Sequence, residues 1–414
     1  MTSGRATFRR ESKFFKLERL CDLRIRTGYG PENITRLRRF AISVMLSFSF
    51  AIAFIMHLLL FCTAPMVTPM MEEMDLSHGD FGVLYSSAML SLILFRIPWG
   101  LLGDRIGYLN TFRIVLPLTA ASAVLRAFSP NYLILLLCQF SLGLTLAAIL
   151  PCLPLIVKEW SPDTLGFSTG IYISGFAAGN ATALGITPYL LEAMGWRHVL
   201  LLYSGPALII SILWWSLARS GTRGTSESLL KNLTESAREK IVWVWLFFII
   251  ASMGSYDSLA TWIPKVLEMK AVNKPIAVLL PLGFFLAGPV TGFFSDRFHD
   301  RRKTVAILGT VATASILGIT YAPTPLMLLC LFLSGFSIIG VLTITLTLPV
   351  EHERLSQSAG SVVGLISSLG NIGPLLMPLT FGLLIDVTGT FRVSLIFVAI
   401  VVGVTFIVGS RVHE

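Results

Sequence analysis

The sequence predicts an all-α membrane protein that crosses the bilayer about twelve times, and three observations carry that prediction. Hydrophobic residues make up 54% of the 414 and charged residues only 13%, whereas a soluble domain carries roughly 25% charged residues. The apolar runs mostly reach or exceed the ~20 residues that a helix needs to cross about 30 Å of hydrocarbon, where irregular backbone cannot face lipid. Lys and Arg, in excess by a net charge of +9, gather in alternate connections rather than along the whole chain.

Taken in order, the chain enters its first span at about residue 40, directly behind Arg36, Arg38 and Arg39, and leaves it near 65 before the acidic stretch "MMEEMDLSHGD". The second and third spans, 81–102 and 112–128, flank the charged run "GLLGDRIGYLNTFR". The fourth, fifth and sixth cover 132–157, 165–190 and 199–217, the fifth being rich in glycine. After the polar stretch "ARSGTRGTSESLLKNLTESAREK" come 242–264, 275–295, 304–321, 325–349, 357–385 and 393–410. The ends of such windows carry errors of a few residues.

The basic lead contains Arg5, Arg9, Arg10, Lys13, Lys16, Arg19, Arg24 and Arg26, which places residue 1 in the cytoplasm by the positive-inside rule. The same bias in "DRIGYLNTFR" and "SDRFHDRRK" agrees, and an even number of crossings returns "RVHE" to the cytoplasm. Expected organisation is therefore a basic cytoplasmic extension over 1–39, a six-helix bundle over 40–217, a cytoplasmic linker over 218–241 and a second bundle over 242–414. The charge reflects topology and attraction to anionic lipid, and nucleic acid is not needed as a partner. No cleavable signal peptide is expected, because the basic lead is too long and no small-residue site ends the first apolar run. The five cysteines, Cys21, Cys62, Cys138, Cys152 and Cys330, show neither metal spacing nor a disulfide framework and read as packing residues. No metal or cofactor is expected.

The two halves repeat one unit. "GLLGDRIGYLNTFR" returns as "GFFSDRFHDRRKT", with Asp296 roughly 190 residues after Asp104, and "FAAGNATALGITP" returns as "SSLGNIGPLLMP" at about the same offset. Two parallel six-helix repeats around a central cavity are a transporter architecture, in which one half rocks against the other. Phosphate-loop and hydrolase signatures do not support another class. No G-x-x-x-x-G-K-[ST] occurs, and the "GFSTG" at 166–170 lacks the strand-turn-helix setting of a nucleophile elbow. Gly166, Gly170, Gly175 and Gly179 instead form a small-residue packing face.

At these residues the chain resembles the major facilitator superfamily, over nearly everything after about residue 36. The family pattern G-x-L-x-D-R-x-G between spans 2 and 3 is met by Gly100, Leu102, Asp104, Arg105 and Gly107, and the second half keeps Gly292, Asp296 and Arg297. Glycines let helices approach closely, and an acid and bases at a helix end can bond a neighbouring helix. The resemblance implies that this cluster latches one gate state. "FRIPWGLLGDRIG", "GFAAGNATALG" and "LISSLGNIGPLLMP" are further similar to spans 2, 5 and 11 of the nitrate/nitrite porters and to cyanate-permease-like members, where an arginine grips a planar anion. Those porters carry a second arginine in span 8. Here Gly288 stands at that position, which implies a single guanidinium and an anion larger than nitrate. Gln139 stands where proton-driven drug exporters of the family carry an arginine.

Four side chains are candidate substrate contacts: Arg96, Asn180, Tyr256 and Asn371. Arg96 lies on the order of 12 Å inside Asp104 at 1.5 Å per residue, a depth at which an unpaired arginine costs roughly 2.5–3.5 kcal/mol. It either meets an anion or snorkels to the headgroups. Asp257 and His57 are the proton-coupling candidates. Asp257 is costly inside span 7 unless it carries a proton, pairs with Arg96 or lodges against Ser255, Tyr256 or Ser258. Asn180 and Asn371 either line the cavity or clamp helices. The resulting expectation is a monomeric secondary transporter of a small anionic solute, with protons and membrane lipid as further partners, in the inner (plasma) membrane. An exporter of amphipathic organic compounds and a non-transporting membrane sensor or assembly protein remain the alternatives.

Overall fold

Every regular element among the described residues of the computed structural model, 31–161, 165–217, 239–298, 301–351 and 359–408, is helical. The N-terminal half comprises α1 (Pro31–Phe61), α2 (Val67–Met74), α3 (His78–Ile106), α4 (Tyr108–Ala127), α5 (Tyr132–Leu146), α6 (Ile149–Trp160), α7 (Leu165–Gly185) and α8 (Thr187–Leu217). The C-terminal half comprises α9 (Lys240–Met269), α10 (Leu279–Phe298), α11 (Arg301–Tyr321), α12 (Thr324–Glu351), α13 (Ala359–Leu369), α14 (Ile372–Thr388) and α15 (Phe391–Val402), which runs on as a π-turn over Gly403–Val408. Among the described residues, nine helical stretches are long and apolar enough to cross a membrane, and Lys274–Gly288 and Phe391–Ile407 are shorter apolar helices. Most of the basic extension and the central linker, residues 1–30 and 218–238, lie outside the described residues.

Helix boundaries follow local chemistry. Ser77 opens α3 with a capping box, its hydroxyl accepting from Asp80 N–H and its own N–H donating to Asp80 Oδ2, both at 3.0 Å. Asn131 caps α5 through Ile134 N–H at 3.0 Å. Gly107 joins α3 to α4 at φ +88°, a backbone conformation that any Cβ strains.

Three predicted spans are not continuous helices. Span 1 ends at Phe61 and resumes as α2 after the short 3-10 turn Ala64–Met66, span 4 divides between Leu146 and Ile149, and span 11 divides at Gly370–Asn371. Each break precedes a proline, Pro65, Pro151 and Pro374 respectively, which has no N–H for the carbonyl four residues earlier. Hydropathy alone runs through all three because their residues remain apolar. Span 6 begins earlier than predicted, with a kink at Gly195 (φ +72°) separating an additional N-terminal segment.

Thr68 bonds Glu268, His78 bonds Asp386 and the His78 ring lies beside Trp262 near the Glu268 end of α9, so these residues share one end of the bundle, and Asp104, at the opposite end of α3 from His78, lies at the other. The halves meet mainly where α3 runs along α14 and where α7 meets α10 and the turn before it. Within the N-terminal half, α1 packs against α7 closely enough that a Cβ on Gly175 would stand 2.5 Å from Phe50 O and one on Gly179 2.1 Å from Phe54 O, so the glycine face read from sequence is a contact face at these two positions, whereas Gly170 is exposed and a Cβ there would meet nothing within 4 Å. The exterior is apolar, with Ile212, Phe247 and Ile307 each more than 60% exposed, as lipid contact requires.

Candidate functional site

The broken helix of span 11 creates the acceptor that Arg96 uses. Asn371 N–H bonds Ser368 O at 3.3 Å instead of continuing the α-helical pattern, which frees the carbonyl of Ser367. Arg96 Nη1 donates to that carbonyl at 2.9 Å across the interface between the halves. Asn371 Nδ2 donates to the same oxygen at 2.8 Å and to Ser368 O at 3.2 Å. The carbonyl end of α13 carries the negative end of the helix dipole, a favourable place for a guanidinium. Arg96 is 7% exposed and Nε has no hydrogen-bond partner. No carboxylate among the described residues pairs with it.

A second polar layer lies toward the Asp386 end. Tyr85 OH in α3 donates to Asp257 Oδ2 in α9 at 2.9 Å, again from one half to the other. Next to it, Asn180 Nδ2 in α7 donates to Tyr256 OH at 3.1 Å, while Asn180 Oδ1 has no partner. Phe284 packs edge-on against Tyr256, with centroids 5.3 Å apart, and lies 6.4 Å from the His57 ring. His57 also lies against Phe176 at 4.7 Å. The layer therefore joins α1, α3, α7, α9 and α10 around His57, Asn180, Tyr256 and Asp257.

The sequence candidates thus fall into two groups. Arg96 and Asn371 share one carbonyl, and Asp257, Tyr256, Asn180 and His57 form the other layer. The expected alternatives for Asp257 need revision. Arg96 is not its partner, because Tyr85 and Arg96 are eleven residues apart on one helix, about 16 Å in rise. Nor do the neighbouring hydroxyls serve it: Ser255 Oγ contacts Met377 Sδ at 3.9 Å and Ser258 Oγ has no partner. The group that does is a tyrosine from the other half, which sequence proximity could not have named. Asn371 bonds its own helix break rather than a facing helix.

At the far end of α3, Asp104 is 8% exposed and accepts a hydrogen bond from the OH of Tyr108, the first residue of α4. Arg105 is exposed, and Gly100 and Gly107 lie on the same segment. The side chains of the second copy, Gly292, Asp296 and Arg297, lie outside the described residues.

One buried cation escaped the sequence reading. Arg126 is 0% exposed near the end of α4. Its Nη1 donates to Leu59 O and to Gln139 Oε1, both at 2.9 Å. Leu59 is in the last turn of α1, just before the break in span 1. Both buried arginines therefore satisfy carbonyls that broken helices leave free. Pro65 marks the break in the sequence, but by the four-residue rule it frees Phe61 O, so nothing in the sequence singles out Leu59 O as the acceptor.

Comparison with known proteins agrees with this architecture. The chain is 24% identical over 380 residues to a probable nitrate/nitrite antiporter of Thermus thermophilus, covering 82% of this chain and 84% of that protein. It is 22% identical over 358 residues to a cyanate transport protein of Escherichia coli, covering 85% and 93%, and 23% identical over 370 residues to a D-galactonate transporter of Escherichia coli, covering 80% and 86%. Among solved structures, a bacterial homologue of the human lysosomal transporter Spinster, in an inward-facing and unoccupied conformation, superposes with a TM-score of 0.70 at 16% identity, over 90% of this chain and 97% of that one. These relatives are transporters, not enzymes. The Major Facilitator Superfamily model matches residues 49–354 and 276–412, and on that match, with the fold and the repeated motif, this multi-pass membrane protein belongs to the major facilitator superfamily.

Proposed function

We propose that the protein is a secondary active transporter that moves a small anion across the inner membrane by alternating access, with Arg96 as the anion contact and Asp257 as the proton carrier. The observation that carries the reading is Arg96 itself. It is a buried guanidinium between the two halves, held by a single backbone carbonyl and facing no carboxylate among the described residues. A planar fork in that setting can donate two parallel bonds to a carboxylate or small oxyanion. The names of the nitrate/nitrite, cyanate and galactonate relatives support an anionic substrate.

In this scheme the incoming anion competes with Ser367 O for Arg96. Binding then exchanges a contact between the halves for a contact to substrate, which couples occupancy to rearrangement. Asp257 sits in the other cross-half bond, with Tyr85. Ionised, it accepts a charge-assisted hydrogen bond, roughly twice as strong as a neutral one. Protonation weakens that tie, so proton binding and the meeting of α3 with α9 are linked. Gly288 leaves open space where the related porters place a second arginine, since a Cβ there would meet nothing within 4 Å. The site then holds one fixed positive charge and room for an anion larger than nitrate. Both termini are assigned to the cytoplasm from the placement of Lys and Arg, which makes the Asp386 end the outer one.

Counterflow into proteoliposomes tests the substrate class. Nitrate, cyanate and a sugar acid such as galactonate are compared with neutral sugars and amphipathic cations. Saturable exchange of at least one anion is the expected result, and exchange of amphipathic cations alone would establish the exporter reading instead. In the same assay Asp104→Asn, which keeps the shape but not the charge beside Tyr108, is expected to cut turnover at least tenfold with insertion unchanged. Normal turnover would remove Asp104 from the gating cycle.

A further inference from the structure

The start of span 2 leaves two helix donors for the other half of the molecule to satisfy. In "SHGD", Ser77 and Asp80 cap one another, but the N–H groups of His78 and Gly79 have no partner within α3. Helix N-termini carry such orphan donors and a partial positive charge. Here Asp386, from the last turn of α14, takes both. Its Oδ1 accepts from His78 N at 3.0 Å and its Oδ2 from Gly79 N at 2.6 Å. His78 Nδ1 also lies 2.8 Å from Oδ1. The cap of a helix in the first half is therefore completed by a carboxylate of the second half.

Backbone contact continues inward from this cap. Gly79, Gly82 and Ser86 follow one face of α3 and meet Leu375, Leu379, Gly382 and Asp386 on one face of α14. A Cβ on Gly82 would stand 2.9 Å from Leu379 Cα, and one on Gly382 would stand 2.4 Å from His78 O. Ser86 Oγ donates to Leu375 O at 2.6 Å. A second carboxylate repeats the device between spans 1 and 7. Glu268 accepts from Thr68 Oγ1 at 2.7 and 2.9 Å, and Lys265 and Lys274 pair with it at 3.1 and 2.6 Å. Lys265 Nζ also reaches Thr68 Oγ1, at 2.8 Å. At the opposite end the pattern differs. Asp104 bonds within its own half, and among the described residues no hydrogen bond from Asp104 or Arg105 crosses to the other.

We infer that Asp386 and Glu268 are the closing residues of the gate at this end, each holding the two halves together until the transporter reopens there. This rests on the alternating-access reading. When the halves separate, water replaces Asp386 at the His78 and Gly79 donors, so the closed state alone gains the ion–helix contact. Removing the charge shifts the balance between closed and open forms at this end without touching Arg96 or Asp257.

Spin labels on Glu72→Cys and Val387→Cys, exposed positions at this end in opposite halves, report the separation by pulsed dipolar spectroscopy in the full-length protein. The wild-type background is expected to populate mainly the short distance. Asp386→Asn and Glu268→Gln, as separate variants, are each expected to raise the ratio of long to short distances at least tenfold. Gly82→Leu, which wedges α3 from α14 without changing charge, is expected to do the same. Opening by the Gly82 wedge with no change in the two charge variants would overturn the latch and leave alternating access standing. An unchanged distribution in all three would overturn the gate at this end together with the reading it rests on.

Discussion

Asp257→Asn is expected to collapse pH-driven accumulation of solute to about the level set by passive equilibrium, while exchange of internal for external solute continues. The substitution removes the titrating group but keeps the shape and an oxygen that can accept from Tyr85 OH, so the bridge between α3 and α9 survives in weaker form. Exchange needs no net proton movement, whereas accumulation requires that proton and solute be thermodynamically linked. The measurement is uptake into proteoliposomes with and without an imposed pH gradient, set beside counterflow in the same vesicles. Equal loss of both activities would make Asp257 a structural or substrate-binding carboxyl. Tyr85→Phe separates the bridge from the proton. It removes the donor and leaves the acid, so coupling is expected to persist with altered turnover.

Arg96→Lys is expected to weaken anion binding on the order of ten- to a hundredfold despite the retained charge. A hydrogen bond to a charged group contributes roughly 1.5–3 kcal/mol, and 1.4 kcal/mol is a factor of ten. An ammonium is a point donor that cannot reproduce two parallel bonds to a planar anion. The same change also loosens the tie to Ser367 O, since a lysine would have to reach that carbonyl along a flexible stem. Gly288→Arg is the complementary gain. Open space beside Gly288 admits the side chain, and a second guanidinium is expected to shift preference toward nitrate-sized anions.

Composition and run length sufficed for the helical class because burying backbone in lipid leaves so few alternatives. The repeated motif was legible because Asp104 and Asp296 share a glycine four residues earlier and an arginine directly after. What hydropathy could not resolve were the interruptions, where Pro65, Pro151 and Pro374 break helices without interrupting apolar character. Those interruptions create part of the site. The acceptor for Arg96 is a backbone carbonyl, which has no letter in the sequence, and it is free only because α13 stops at Leu369. Asp257 was legible as a buried acid, but its partner was not, because Tyr85 lies 172 residues away and local spacing says nothing about it. Arg126 was hidden by its position near the end of a span, where a long basic side chain is expected to reach water rather than turn inward to Leu59 O. The Asp386 cap was invisible for a similar reason. Ser77 and Asp80 already look like a complete helix start, and the donors they leave over become apparent only when the other half is in place.

In this scheme a single buried guanidinium binds the transported anion. Titration of purified wild type and Arg96→Lys with the anion that supports counterflow, side by side at one pH, tests it most directly. Saturable binding to wild type, weakened at least tenfold in Arg96→Lys with both proteins equally folded, is the predicted result. Equal affinity in the two proteins would contradict the account and leave Arg96 as the brace of the broken span 11 helix.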